Sequence, residues 1–457
     1  MIRNQTHPPP SRSAPLLALV LLGLLAPGPV DVAAAEAPRR LPNIVLIVVD
    51  TLRFDRLSCY GYPRPTTPHI DALFEAGAQF TQTRVSEPLT APSMVSLFTS
   101  LHPHEHGTTR NGLRMRPQLP SLTGILASRG YRTAAFVGNW TLRDEISGLG
   151  EHFVEYFEVF TRKRWWGLFK NEATADDLTT DALAWIEEHR DAPRPFMVWV
   201  HYVEPHAPYR LHKELLSPLG ISTEGEVSRA DRYDTEVAFV DRAIGRLLEE
   251  LKALSAPADT LIFFASDHGE SLGEHGYWGH GRHLYEMTLR VPMGVVWEGR
   301  IEPMTIDRLA SNLDIAPTLL GLVGLPIPDA FRGHDWSGFM RGEAGSPDTR
   351  ITLHQAHKGA ALKRSREARR KGLLEVGLVD AMHKEIFRVK GRNRRTFDLG
   401  NDPVEARSRV ALKSDPSDEL RRWLEQVEDG LIAADNLPPP SLEEEDLEQL
   451  RALGYID

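Results

Sequence analysis

Four short apolar runs constrain the fold of this chain more than any other feature, because each is followed at once by residues fit for chemistry. They span Asn43 to Val49, Tyr131 to Gly138, Phe196 to Val203 and Thr260 to Ala265. Runs of this length, rich in β-branched and aromatic residues, are too short for ordinary helices and read as fully buried strands of a parallel sheet. They hand over to Asp50, to Asn139, to Glu204-Pro205-His206 and to Ser266-Asp267-His268. In open α/β sheets ligands bind beyond the carboxyl ends of the strands. Four polar strand ends therefore predict one shared pocket, with Asp50 and Asp267 side by side.

The segments between these runs carry helical patterns. His69 to Ala76 is closed by Gly77, residues 174 to 189 place Leu178, Leu183 and Ile186 at core spacing, and Tyr233 to Leu251 is again amphipathic. Val291 to Trp297 reads as a further strand, and Ala316-Pro317-Thr318 opens another helix. The expected fold class is α/β with a mostly parallel central sheet. A chain of 457 residues suits one large domain of this kind, 41–346, plus an appendage. From about residue 347 charge rises and long apolar runs cease, and Glu385–Val389 with Arg395–Leu399 suggests a hairpin. We expect a smaller C-terminal α+β subdomain over 347–435, then an acidic helix, Leu442 to Leu453, within 436–457.

Residues 1–40 read as a secretory signal and linker: Arg3 and Arg12 supply the positive flank, Leu16 to Leu25 the apolar core, and Ala33 to Ala35 the small-residue cleavage region. The apolar run is shorter than the roughly 20 residues of a membrane span. The expectation is an exported protein, periplasmic or secreted, with tethering by an uncleaved N-terminal segment as the alternative. Cys59 is the single cysteine, so no internal disulfide forms. A net charge of −10 gives no reason to expect a nucleic-acid partner, and the basic stretch Lys358 to Lys371 reads as a solvated helix face.

Within the longest polar loop, Ser266 to Gly281, a carboxylate (Asp267), an imidazole (His268) and a second imidazole (His280) in a Gly-His-Gly turn make a plausible metal site. Thr90, just ahead of Pro92 at the opening of a helix, occupies a place where free N–H groups favour an anion and a hydroxyl that must lose its proton; it also suits a plain N-cap. Asn139 either donates to an oxyanion or holds a turn, and Asp50 is either a ligand or a cap.

Taken together, Asp50-Thr51-Leu52-Arg53, Thr90-Ala91-Pro92-Ser93, Glu204-Pro205-His206-Ala207-Pro208-Tyr209, Ser266-Asp267-His268-Gly269-Glu270, Leu284-Tyr285-Glu286 and Asp402-Pro403-Val404-Glu405 resemble the sulfatase family of the alkaline phosphatase superfamily. The resemblance, from about Asn43 to Glu405, implies an alkaline-phosphatase-like three-layer α/β/α fold and a hydrolase of sulfuric or phosphoric esters. Sulfatases place a Cys or Ser, oxidised to formylglycine, where this chain has Thr90, and an Arg where it has Met94; the family's Lys and His positions fall on Asn139 and Thr141, its second Asp on Thr51 and its later Lys near Gly281. These departures resemble the threonine-dependent branch, including the phosphoethanolamine transferases. The resemblance implies that Asp50, Thr90, Asp267 and His268 bind one divalent metal (zinc, manganese or calcium), with Thr90 also the nucleophile. Asn139, His206 and His280 would donate to the other substrate oxygens, or the two histidines would take a second metal; His206 or His280 would protonate the leaving alkoxide. A small-molecule, glycan or lipid-headgroup anionic ester is the expected substrate. A phosphoryl-group transferase and a non-catalytic binding protein that kept the fold are the alternatives.

Overall fold

The computed structural model describes residues 41–434 apart from 161, 165–168, 172, 255–259 and 360–371. The expected export signal, the acidic helix Leu442–Leu453 and all but the first two residues of the basic stretch from Lys358 lie outside the described residues. Among the described residues no helix is long and apolar enough to cross a membrane.

Eight strands build the central sheet: β1 (Asn43–Val49), β2 (Ala78–Arg84), β3 (Arg132–Val137), β4 (Glu155–Glu158), β5 (Phe196–Tyr202), β6 (Thr260–Ser266), β7 (Met293–Val296) and β8 (Met304–Ser311). Their order is β8-β2-β7-β6-β1-β5-β3-β4, and only β7 runs against its neighbours. The four runs singled out above are thus β6, β1, β5 and β3, adjacent in space. Alternation along β1 shows why these strands are apolar throughout. Ile44, Leu46 and Val48 join the core on one face, Val45, Ile47 and Val49 the core on the other, and all six are fully buried.

Helices cover both faces. The first core packs under α2 (Thr90–Thr99) and α5 (Ile315–Leu322); the second under α1 (Pro68–Glu75), α3 (Ala175–His189) and α4 (Arg229–Leu254). Thr174 caps α3 by accepting from the Asp177 N–H while the Asp177 carboxylate accepts from the Thr174 N–H, a reciprocal capping box. The result is the three-layer α/β/α arrangement.

The C-terminal part is a five-stranded antiparallel meander, β9 (Ile351–His357), β10 (Leu373–Asp380), β11 (His383–Arg388), β12 (Asn393–Asp398) and β13 (Arg409–Ala411). The expected hairpin is its β11–β12 pair. One face packs on α6 (Asp418–Ala434) through Val376, Phe387, Leu420 and Trp423, and the other meets Leu284, Leu289 and Val291 of the catalytic half.

A buried ionic network locks the two parts. Arg84 of β2 holds both oxygens of Glu286 (Nη2 to Oε2 2.7 Å), Lys384 of β11 bonds Glu286 at 2.9 Å and Glu405 at 2.8 Å, and the Glu286 N–H donates to Glu405 at 2.6 Å. Burial pushes the Glu286 carboxyl up, but Arg84 and Lys384 outweigh it and hold the group well below the usual carboxylate range. Its contribution to stability is therefore complete above the ordinary value of 4.5 and is lost as pH falls through the lower folded value. Replacing Lys384 by Met leaves Arg84 alone to balance Glu286 and Glu405, one buried carboxylate too many, and is expected to cost about 3–5 kcal/mol at pH 7. Urea unfolding should show that deficit shrinking as the pH approaches about 3.

Candidate active site

The parallel pairing of β1 with β6 sets Val49 opposite Ser266, so Asp50 and Asp267 leave the sheet at the same level on neighbouring strands. Immediately after Asp50 the backbone turns through Thr51, whose φ of 57° lies in the left-handed region. That turn aims the Thr51 N–H at Asp267 Oδ1 (3.0 Å), which also accepts from the His268 N–H (2.7 Å). Asp267 Oδ2 is buried, accepts no hydrogen bond among the described residues and faces His268 Nε2 at 3.5 Å. Asp50 Oδ1 lies 3.8 Å from the same nitrogen. At Gly269 a Cβ would sit 2.1 Å from the Met287 carbonyl oxygen, so the loop can pass here only as glycine.

His268 donates from Nδ1 to the Gly269 carbonyl (2.9 Å), which leaves the Nε2 lone pair directed into the site. Burial lowers its pKa to about 4 against the opposing pull of Asp267, so the ring is neutral at pH 7. Thr90 Oγ1 stands 3.2 Å from that Nε2. Thr90 is the first residue of α2 and Leu89 its N-cap, so the side chain is not spent on capping. Three polar side chains pin this helix end: Ser93, part of the Thr90–Ser93 motif but with no role assigned there, and Asn111 and Asn312, which carry no motif. Asn111 accepts from the Ala91 N–H (3.0 Å), Ser93 donates to the Asp267 carbonyl (2.6 Å), and Asn312 donates to Ser93 Oγ (3.0 Å). All three partnerships span long sequence separations except the first, and none carries a local signal.

Donor atoms of Asp50, Asp267 and His268 lie within 4.8 Å of one another, and all three residues are buried. Two carboxylates and a neutral imidazole in a dry pocket, with Asp267 Oδ2 lacking a hydrogen-bond donor, fit a divalent cation. His206 and His280 do not belong to this group, and no second group of three such donors closes to that distance among the described residues.

Asn139 donates to Asp50 Oδ2 at 2.5 Å and accepts from the Thr141 N–H and hydroxyl at 2.8 Å. One of its amide hydrogens thus orients a carboxylate, a partnership that neither sequence reading of Asn139 anticipated. The His206 and His280 rings stand 5.2 Å apart, and those of His280 and His268 4.4 Å. His206 donates from Nδ1 to the Ala207 carbonyl (2.7 Å), and burial, with His280 beside it, lowers its pKa to about 4. The ring is neutral at pH 7 with its one hydrogen on Nδ1, so Nε2 carries a lone pair and His206 holds no proton to give a leaving alkoxide. His280 Nδ1 meets the fully buried Glu270 carboxylate at 3.1 Å; Glu270 stood in the loop motif without a role assigned.

A mostly parallel α/β/α sheet whose strand ends converge on an acidic cluster that could hold a cation, beside a helix N-terminus, defines the alkaline-phosphatase-like hydrolase class. The Sulfatase family model matches residues 42–325, and a model for the C-terminal part of N-sulphoglucosamine sulphohydrolase matches 273–426. The chain belongs to the sulfatase family. It is 27% identical over 337 residues to the ulvan-active sulfatase of Formosa agariphila, covering 66% of this chain and 65% of that one, just under two thirds. With arylsulfatase A of Homo sapiens it shares 28% identity over 376 residues, 71% of this chain and 73% of the relative. The phosphonate monoester hydrolase of Silicibacter pomeroyi shares the fold, with a TM-score of 0.61 at 19% identity over 86% of this chain and 96% of the other.

Asp267→Ala removes the oxygen that faces both His268 and the cation site. Native mass spectrometry is expected to show a bound divalent ion in the purified wild-type protein and none in the variant.

Proposed function

We propose that this sulfatase-family hydrolase acts on phosphate or phosphonate monoesters, with Thr90 as nucleophile in place of formylglycine. The observation that carries the reading is the position of Thr90: buried, uncommitted to capping, at the first turn of α2 and 3.2 Å from His268 Nε2. Asp50, Asp267, His268 and Thr90 would hold one divalent cation. When bound, the cation lowers the pKa of the hydroxyl and polarises a non-bridging oxygen of the substrate.

The remaining steps belong to the chain. The Thr90 hydroxyl releases its proton to solvent, Oγ attacks phosphorus, the bond to the leaving oxygen breaks, and that oxygen takes a proton as an alcohol. His280, held through Nδ1 by Glu270, is the better placed of the two histidines to supply that proton, while the neutral His206, its Nδ1 hydrogen given to the Ala207 carbonyl, has only the Nε2 lone pair left and can accept a hydrogen bond there. The positive end of the α2 dipole lies at Thr90 and favours the transferred group's charge. Water then attacks phosphorus of the phosphothreonine and regenerates the hydroxyl. A threonine sulfate lacks the exit open to formylglycine, collapse to an aldehyde, because the threonine β-carbon bears a methyl group instead of a second hydroxyl. That difference favours phosphorus over sulfur. The Arg3, Arg12, Leu16–Leu25 and Ala33–Ala35 pattern supports action outside the cytoplasm on an anionic ester.

Turnover of nitrophenyl phosphate, phenylphosphonate and sulfate tests the reading. Phosphorus esters should be preferred, chelation should abolish activity and added zinc, manganese or calcium restore it. Thr90→Ala should lower kcat by about 10,000-fold or more, with a phosphorylated Thr90 peptide trapped from the wild type alone. Wild-type rates in Thr90→Ala would overturn the assignment. Product that forms only when an acceptor alcohol is added would make the protein a transferase.

A further inference from the structure

His201 is a buried imidazole without an assignment so far. His201 lies on β5 opposite Val48 of β1 and Val137 of β3, and Val48 is opposite Ala265 of β6. Asp50 and Asp267 follow Val48 and Ala265 by two residues on the same face, so this row is the layer directly beneath the carboxylates. Valine, valine and alanine fill it from the other strands and join the apolar core there, together with Trp199, whose ring centre is 5.7 Å from that of His201. The side chain of His201 is fully buried, and neither ring nitrogen makes a hydrogen bond among the described residues. A polar ring in such a layer is costly unless it finds a partner, and an aliphatic residue would fill the space without that cost.

A partner lies close by. His201 Nε2 is 3.8 Å from Asp267 Oδ2, the carboxylate oxygen that itself accepts no hydrogen bond. Asp267 Oδ1 is already occupied by the Thr51 and His268 N–H groups. His201 also stands outside the three residues whose donor atoms close to within 4.8 Å. It therefore reaches Asp267 from beyond the ligand set, across the end of β1.

We propose that His201 is a positioning residue for the metal site, donating from Nε2 to Asp267 Oδ2 and fixing that oxygen toward the cation. The gap is longer than a hydrogen bond, and a small shift of either side chain closes it. Partners that orient a ligating carboxylate from outside set metal affinity as well as geometry. The inference rests on the metal reading given above, and the test keeps the two apart.

His201→Leu fills the space without a donor, whereas His201→Gln keeps an N–H donor near the Nε2 position. Dissociation constants for zinc, manganese and calcium, from chelator competition, are read beside the melting temperature of each metal-free protein. His201→Leu is expected to weaken binding by about 10–100-fold without lowering the metal-free melting temperature, and His201→Gln to stay within about threefold of wild type. Wild-type affinity in His201→Leu would reduce His201 to core filling and overturn the proposal. So would His201→Gln as weak as His201→Leu, or a wild type that binds two ions where His201→Leu binds one, since His201 would then be a ligand itself. A wild type that binds no ion better than Asp267→Ala would sink the metal reading, and this inference with it.

Discussion

Two carboxylates forced together out of water are the constraint around which this protein is arranged. Parallel pairing of β1 and β6 delivers Asp50 and Asp267 to one level, and burial denies both the solvent that would screen them. Backbone N–H groups quiet one oxygen of Asp267, the Asn139 amide quiets one oxygen of Asp50, and the neutral His268 ring faces what remains. Burial pushes the Asp267 carboxyl up, but His268, His201 and the Thr51 N–H outweigh it and hold the group below the usual carboxylate range. The left-handed turn at Thr51 aims a backbone N–H at Asp267, and the glycine at 269 lets the loop that carries His268 pass against Met287.

Around this cluster the polar groups divide by task. Ser93, Asn111 and Asn312 hold the start of α2 against the Asp267 loop, so that the hydroxyl of Thr90 and the ring of His268 keep their spacing. Rigid support of this kind matters because misplacing a nucleophile by about 1 Å costs orders of magnitude in rate. His280 stands beside His268 and His206 beside His280, each with Nδ1 engaged, by Glu270 in the first and by a backbone carbonyl in the second. Engaging Nδ1 fixes which nitrogen looks into the pocket.

The C-terminal sheet is part of the same construction. The loop that carries His280 continues into His283, Leu284 and Tyr285. Glu375 of β10 takes His283 Nδ1 at 3.1 Å and the Leu284 N–H at 3.2 Å, while Arg395 of β12 bonds Glu375 at 2.5 Å and contacts the Tyr285 hydroxyl. Glu286 then enters the network of Arg84, Lys384 and Glu405. The pocket wall is therefore braced by residues about 100 positions further along the chain, and the small sheet acts as a buttress for the catalytic half.

Much of this was legible in the sequence, and what was not has a common cause. Strands β1, β3, β5 and β6 announce themselves because both faces are buried, which forces continuous apolar runs, and Asp50, Asn139, His206 and Asp267 stand where those runs stop. β2 and β8 escaped notice: Ala78–Arg84 is interleaved with Gln and Thr, and Met304–Ser311 carries Asp307 and Arg308 beside an irregular register. The reversed direction of β7 leaves no mark on a four-residue run. His201 reads as one more strand residue, and Glu270 as one more loop acid, until distances are known. The amino-acid order alone determined which residues end up buried or at strand ends, since a period of two or 3.6 is set by near neighbours. Which of them share a cation, orient one another or brace the pocket was decided only by the tertiary fold, because those interactions act through ångströms between groups that are tens to hundreds of residues apart.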